Sequence, residues 1–283
     1  MVIVGIAIVL VALAVALVLH AKLTYDDAVA LQEEIKRGET VARPDGPASR
    51  SPAGKEGVRT ISRSEVVRLF HKHVYDSQAW RDTEWLEVRT LQNPIDLWSI
   101  QEIVLEIRPD FIIETGTFHG GTALYLAMVL ETIGGDGKVL TIDIEPHVEQ
   151  ASAYEVFQRR VEVITGSCVE PAVVAPIAAR VAKKKVMVLL DSAHQAPHVL
   201  NELRLFGPLV SEGSYLVVQD TNLNGNPVVP EFGPGPWEAV QQYLGSNPGF
   251  EIDREREKFD LSFFPRGFLR RIAPAASSPG GIQ

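Results

Sequence analysis

The chain has 283 residues, 46% of them hydrophobic, and a formal net charge of −9, which suits one large α/β core with appendages. With no basic cluster in the core region, that charge argues against a nucleic-acid backbone as the main partner and favours a small or neutral acceptor. Cys168 is the only cysteine, so no intrachain disulfide can form, no Cys/His cluster has zinc-ligand spacing along the sequence, and a reducing active site is consistent.

Val2 to Leu19 carries no charge. As a helix it would extend about 27 Å, close to the hydrocarbon thickness of a bilayer. Residues 1–21 are therefore expected to be a single-pass anchor rather than a cleaved signal, because no basic residue precedes the run and no small-residue cleavage site follows it. Lys22, Lys36, Arg37 and Arg43 come after it, which places the remainder on the cytoplasmic side. A cleaved signal or a mis-chosen start codon stays open. Within 22–59, Leu23 to Arg37 has the pattern of a short amphipathic helix, and Gly38 to Arg59 mixes Pro, Gly, Ser and charge like a flexible linker.

Residues 60–272 read as the main domain and 273–283 as a disordered Pro/Gly/Ser tail. Helical spacing predicts an accessory helix over Ile61 to Ser77, with Val66, Val67, Leu69, Phe70 and Val74 on its apolar side. Trp80 to Pro94 reads as a packed loop over the site. Ile95 to Ile107 follows as a helix with Trp98 in a broad apolar face.

Apolar runs then alternate with helices. Strands are predicted at Phe111 to Thr115, Val139 to Asp143, Val161 to Thr165, Val186 to Asp191 and Ser214 to Asp220. Helices are predicted at Thr122 to Ile133, Ala172 to Ala182, Pro197 to Phe206 and Trp237 to Leu244. Lys258 to Phe264 and Gly267 to Ile272 read as two further strands closing an antiparallel hairpin. The sum is a doubly wound, seven-stranded, mostly parallel sheet.

In such a sheet ligands bind beyond the carboxyl ends of the strands. The first strand ends in Glu114, and Gly116, Thr117, His119, Gly120 and Gly121 form a glycine turn into a helix. Their spacing is not that of a dinucleotide fingerprint. A carboxylate at the turn repels a pyrophosphate and suits the ammonium and sulfonium groups of S-adenosylmethionine. Asp143, ending the next strand, is placed to take ribose hydroxyls, although an acid merely opening a loop would look the same. Ser167 and Cys168 follow the third strand on the same side.

Asp191 and Asp220 end neighbouring strands and can converge on Mg²⁺ with the Gln219 carbonyl as a third oxygen; caps and turn formers are the alternative. His194 is the best general base, since an imidazole titrates near neutrality, with His198 one turn on to hold it. Catalysis is thus assigned to His194 and Asp191, and Asp191 is also expected to border the donor. Thr221 to Pro236, rich in Pro and Gly, is the expected acceptor-binding wall.

Taken together, Asn93-Pro-Ile-Asp-Leu-Trp98, Ile113-Glu-Thr-Gly-Thr-Phe-His-Gly-Gly121, Leu190-Asp-Ser-Ala-His194, and Val218-Gln-Asp-Thr-Asn222 with Gly233-Pro-Gly-Pro236 resemble the cephalosporin hydroxylase and rhamnosyl O-methyltransferase family over about Trp80 to Ile272. The resemblance implies a Rossmann-like class I methyltransferase fold, S-adenosylmethionine as donor, and Mg²⁺ on Asp191, Gln219 and Asp220. It also implies O-methylation of a sugar or glycolipid hydroxyl, or of a hydroxylated antibiotic intermediate. Two departures stand out: the family often carries Asp where this chain has Ala193 and Glu where it has Gln219, which weakens the expected metal site and favours His194. A hydroxylase or oxidoreductase on the same fold, a non-catalytic donor-binding protein, and assembly into homo-oligomers remain open alternatives at this point.

Overall fold

The computed structural model describes residues 61–272. The expected anchor (1–21), the helix and linker (22–59) and the tail (273–283) lie outside the described residues. Among the described residues no helix is long and apolar enough to cross a membrane.

Helix α1 (Arg63–Asp76) leads into a 3-10 turn, Ala79–Asp82, and a small ribbon of β1 (Glu84–Trp85) and β2 (Val88–Arg89). Helix α2, Pro94–Ile107, starts where Asn93 caps it, its side chain accepting from the Ile95 amide at 3.2 Å, with Pro94 pre-set in the first turn. From there β3 (Phe111–Thr115), α3 (Gly121–Ile133), β4 (Lys138–Asp143), α4 (Glu155–Arg160), β5 (Val161–Thr165), α5 (Pro171–Val181), β6 (Val186–Leu190), α6 (Ala196–Phe206) and β7 (Tyr215–Val218) alternate. Then α7 (Pro236–Leu244), β8 (Phe250–Ile252) and β9 (Phe268–Arg271) finish the domain.

The seven-stranded sheet has the order β5-β4-β3-β6-β7-β9-β8, parallel from β5 to β7, with β9 antiparallel to both β7 and β8. Strand residues alternate between two apolar layers, as pleat geometry requires. Ile112, Val139, Met187, Leu189, Val217 and Phe268 pack toward α2 and α3. Ile113, Leu140, Val188, Leu190, Leu216 and Leu269 pack toward α5, α6 and α7. Both faces are covered, which is why these strands read as continuous apolar runs.

Three expectations change. The hairpin pairs Phe250–Ile252, not Lys258–Phe264, with Phe268–Arg271. Leu261, Ser262, Phe263 and Phe264 are all buried in succession, so that stretch is a wedge rather than an alternating strand: the Phe263 amide donates to Asp96 Oδ2 at 2.8 Å, and its ring meets His71, Tyr75 and Trp80. Helix α1 does not bury the predicted stripe, because Val66, Leu69 and Phe70 are about half exposed while His71 is buried. Trp98 is likewise exposed, its Nε1 donating to Glu102 Oε1 at 3.1 Å.

Candidate functional site

Register aligns the strand ends. Thr115 sits opposite Ile142 and Leu190, and Leu190 opposite Val218, so Gly116, Asp143, Asp191 and Gln219 all fall one residue beyond. The hydrogen-bond ladder runs past the strands to hold them there: Gly116 N–H to Ile142 O at 2.9 Å, Asp191 N–H to Thr115 O at 3.0 Å, and Gln219 N–H to Leu190 O at 3.0 Å. Above this row, at the β3/β6 crossover where the winding reverses, lies a cavity of ≈ 790 Å³. Its position and size are those of a ligand cleft in an open α/β sheet.

On the β3/β4 side the cavity is lined by Gly116, Thr117, Gly121, Asp143, Ser167 and Cys168. Gly116 has φ +86°, and a Cβ there would stand 2.1 Å from the Asp191 carbonyl oxygen; Gly121 is pressed the same way, 2.4 Å from the Arg89 carbonyl oxygen. These glycines permit close packing of chain on chain, and the turn brings Phe118 N–H to Asp143 Oδ2 at 2.8 Å. The other Asp143 oxygen accepts from the Glu145 amide at 3.0 Å. Asp143 is thereby a fixed carboxylate facing the cavity, with lone pairs left for a ligand hydroxyl.

Glu114 does not stand at the cavity mouth. It is 1% exposed, beneath the turn, where Thr141 Oγ1 donates to its Oε2 at 2.5 Å. Burial raises its pKa to about 8, which favours its neutral form near pH 7. His119 and Gly120 are also off the wall: His119 packs edge-on against Phe118, and Gly120 backs onto Ala151 and Phe157.

On the β6/β7 side, Asp191, His194 and Asp220 bring their ligand atoms within 4.8 Å of one another. His194 Nε2 is 3.4 Å from Asp220 Oδ2, and Asp220 itself holds a left-handed backbone at φ 53°, a costly conformation for a non-glycine residue that here turns its carboxylate back into the cavity. Both aspartates have raised pKa values: burial acts first on each, Asp220 and Glu114 add to it at Asp191, and His194 offsets it at Asp220. Two half-buried carboxylates this close disfavour double ionisation unless a cation is shared, so the donor set fits a hard divalent ion.

His194 stands beside these two carboxylates, and Gln219 is held from the other side. Gln92, just ahead of α2, donates through Nε2 to both Asp191 Oδ2 at 2.9 Å and Gln219 Oε1 at 2.8 Å. A carboxylate only accepts, which pins the Gln92 amide and in turn the Gln219 oxygen. That oxygen keeps a second lone pair, and Gln219 Nε2 is buried without a hydrogen-bond partner. Having an amide where an acid was expected thus removes a negative charge beside the two aspartates and adds a hydrogen-bonded brace to Gln92.

The opposite wall comes from two segments. Tyr75, Gln78, Trp80 and Arg81 arrive from the end of α1 and the turn after it, and Leu223, Val229 and Phe232 from the loop after β7. The loop is packed rather than loose: Val228 N–H bonds Asn222 O at 3.0 Å, and Asn222 Nδ2 meets His71 Nε2 at 3.1 Å. Trp80 stacks on Tyr75 with centroids 5.4 Å apart, forming an aromatic shelf beside the acidic cluster. Sequence reasoning set this segment over the site but missed Gln92, whose only cue was its place just before the Asn93-Pro94 cap. It also paired His198 with His194, whereas His198 Nε2 lies 3.0 Å from Ser192 Oγ.

Residues 77–272 match the family described as rhamnosyl O-methyltransferase/CmcI. A rhamnosyl O-methyltransferase of Mycobacterium bovis (strain BCG / Pasteur 1173P2) is 39% identical over 214 residues, 73% of this chain and 85% of the relative. One from Mycobacterium leprae is 40% identical over 211 residues, 73% and 90% respectively. A solved structure described as cmcI-D160 with Mg and SAM superposes with a TM-score of 0.53 at 17% identity, covering 81% of this chain and 93% of that one, a likeness of fold.

Proposed function

Because this chain belongs to the rhamnosyl O-methyltransferase/CmcI family, it is an S-adenosylmethionine-dependent O-methyltransferase, and we propose that its acceptor is a sugar hydroxyl, with rhamnose on a glycolipid the leading candidate. The observation that carries the reading is the division of the cavity: Asp143 and the glycine turn on one side, Asp191, His194 and Asp220 on the other, with the Trp80 shelf above.

The donor, when bound, supplies an electrophilic methyl group. Asp143 binds its ribose hydroxyls, Gly116 and Thr117 let it lie against the strand ends, and Ser167 and Cys168 bound it beyond β5. Asp191 and Asp220 would hold Mg²⁺, which would supply Lewis-acid activation of a hydroxyl there. His194 accepts the acceptor proton at Nε2, and Asp220 steadies the imidazolium that results. Trp80 and Tyr75 offer flat apolar surface to the less polar face of a sugar ring, and the walls above them exclude water.

The family membership favours methyl transfer over the hydroxylase and oxidoreductase readings, and an intact Asp191–His194–Asp220 cluster speaks for chemistry over donor binding alone. A further part of the reading is location. The uncharged run Val2 to Leu19 supports a membrane tether with the catalytic domain on the cytoplasmic face, which would raise enzyme concentration at a lipid-linked acceptor.

The test is to incubate the purified full chain with methyl-labelled donor, Mg²⁺ and a panel of rhamnose-bearing glycolipids and free sugars, following product mass. Transfer to a sugar oxygen supports the proposal; donor bound but label never transferred to any sugar would overturn it. Membrane fractionation of the expressed full chain, with and without residues 1–21, tests the tether separately.

A further inference from the structure

We propose that Cys168, His198 and Glu202 form a second metal site, for a zinc-class divalent cation, set into the wall of the donor cavity and separate from the Asp191–His194–Asp220 cluster. The sequence gives no zinc spacing, because the ligands come from two elements: His198 and Glu202 are one turn apart on α6, and Cys168 arrives on the loop after β5. Folding brings their ligand atoms within 4.8 Å of one another.

The distances suit a small tetrahedral ion. Cys168 Sγ is 3.5 Å from His198 Nε2 and 3.3 Å from Glu202 Oε1, and His198 Nε2 is 3.8 Å from Glu202 Oε2. Zinc–ligand bonds of about 2.0–2.3 Å at tetrahedral angles place neighbouring ligand atoms roughly 3.3–3.7 Å apart; the two sulfur distances fall in that range, and a small turn of the Glu202 carboxylate, met at Oε1 by sulfur and at Oε2 by imidazole, would offer one oxygen to both. Ser192 Oγ, 2.7 Å from Glu202 Oε1 and 3.0 Å from His198 Nε2, occupies the remaining side.

The independent observation is Glu202 itself. The residue is 0% exposed, and while its Oε1 accepts from Ser192 and Cys168, its Oε2 is buried with no hydrogen-bond partner and faces His198. A carboxylate oxygen so placed is costly unless a donor or cation meets it. Thiol, imidazole and carboxylate together select a softer ion than Mg²⁺. Without metal, burial and the Glu202 charge push the thiol up to about 12. Binding therefore forms the sulfur–metal bond as the thiol proton leaves to solvent.

The experiment uses tag-free full chain, stripped with a chelator and titrated with Co²⁺ and then Zn²⁺. One equivalent of Zn²⁺ should be retained through dialysis, and Co²⁺ should give a thiolate-to-metal charge-transfer band that Zn²⁺ bleaches. Cys168→Ser should abolish the band, Glu202→Gln should weaken Zn²⁺ binding by at least about tenfold, and Asp220→Asn should leave both intact. If Glu202→Gln fails to fold, His198→Gln, at a partly exposed position, should show the same loss. No thiolate band, or Zn²⁺ retention unchanged in Cys168→Ser, would overturn the proposal and leave these side chains as a hydrogen-bonded wall only.

Discussion

Two carboxylates at adjacent strand ends illustrate how burial decides role. Asp143 faces the cavity, fixed by the Phe118 and Glu145 amides; Glu114 is beneath it, against Thr141. Asp143→Ala should therefore weaken donor binding by about 10–100-fold, the worth of hydrogen bonds to a charged group, measured by calorimetry. Glu114→Gln should change it by less than about threefold, an expectation that rests on the same principle of lost contacts. The sequence named both residues but could not tell which was buried, because the alternation of β3 that turns Glu114 into the α2/α3 layer matters only once that layer is built. Gln219 shows the same limit: its type was legible, and its partner Gln92, far away in sequence, was not.

At the scale of elements, the glycine turn is held by what packs on it. A methyl group on Gly121 would meet the Arg89 carbonyl oxygen at 2.4 Å, so Gly121→Ala should push the β1/β2 ribbon outward. We expect a loss of roughly 1–3 kcal/mol of stability, as for other overpacked sites, read as a lower melting temperature together with weaker donor binding, since Arg89 and Thr90 line the same cavity. The parallel strands and their helices were legible because apolar runs and helical spacing are local properties. The short helix Glu155–Arg160 and the true hairpin partner Phe250–Ile252 were not. Each is too short to carry a period, and the consecutive Phe263-Phe264 pair imitates strand composition while serving as a wedge under α1. The exposed α1 stripe fails for the complementary reason: helical spacing predicts an apolar face without saying that anything covers it.

Across the whole molecule, the acids at the strand ends contribute to how stability responds to pH. Glu114 titrates near 8 in the fold against an ordinary 4.5, and Asp191 and Asp220 are shifted upward too. Between those values the folded chain holds protons that the unfolded chain has released. The stability these acids contribute should therefore fall as pH rises from about 4.5 through about 8, partly offset below about 6.5 by His71, whose pKa burial lowers to about 4. Glu114→Gln should flatten part of that slope in denaturant titrations at a series of pH values. Mg²⁺ should raise the melting temperature most at the alkaline end, where both aspartates are ionised and repel each other; no Mg²⁺ effect at any pH would count against the shared-cation reading.

The division of labour within one cavity is tested most directly by measuring donor affinity and methyl transfer side by side for the full chain, Asp143→Ala and Asp220→Asn. The account predicts that Asp143→Ala loses donor binding, whereas Asp220→Asn binds the donor nearly as the unaltered chain does and transfers no methyl group. Normal donor affinity in Asp143→Ala, or undiminished transfer by Asp220→Asn, would contradict it.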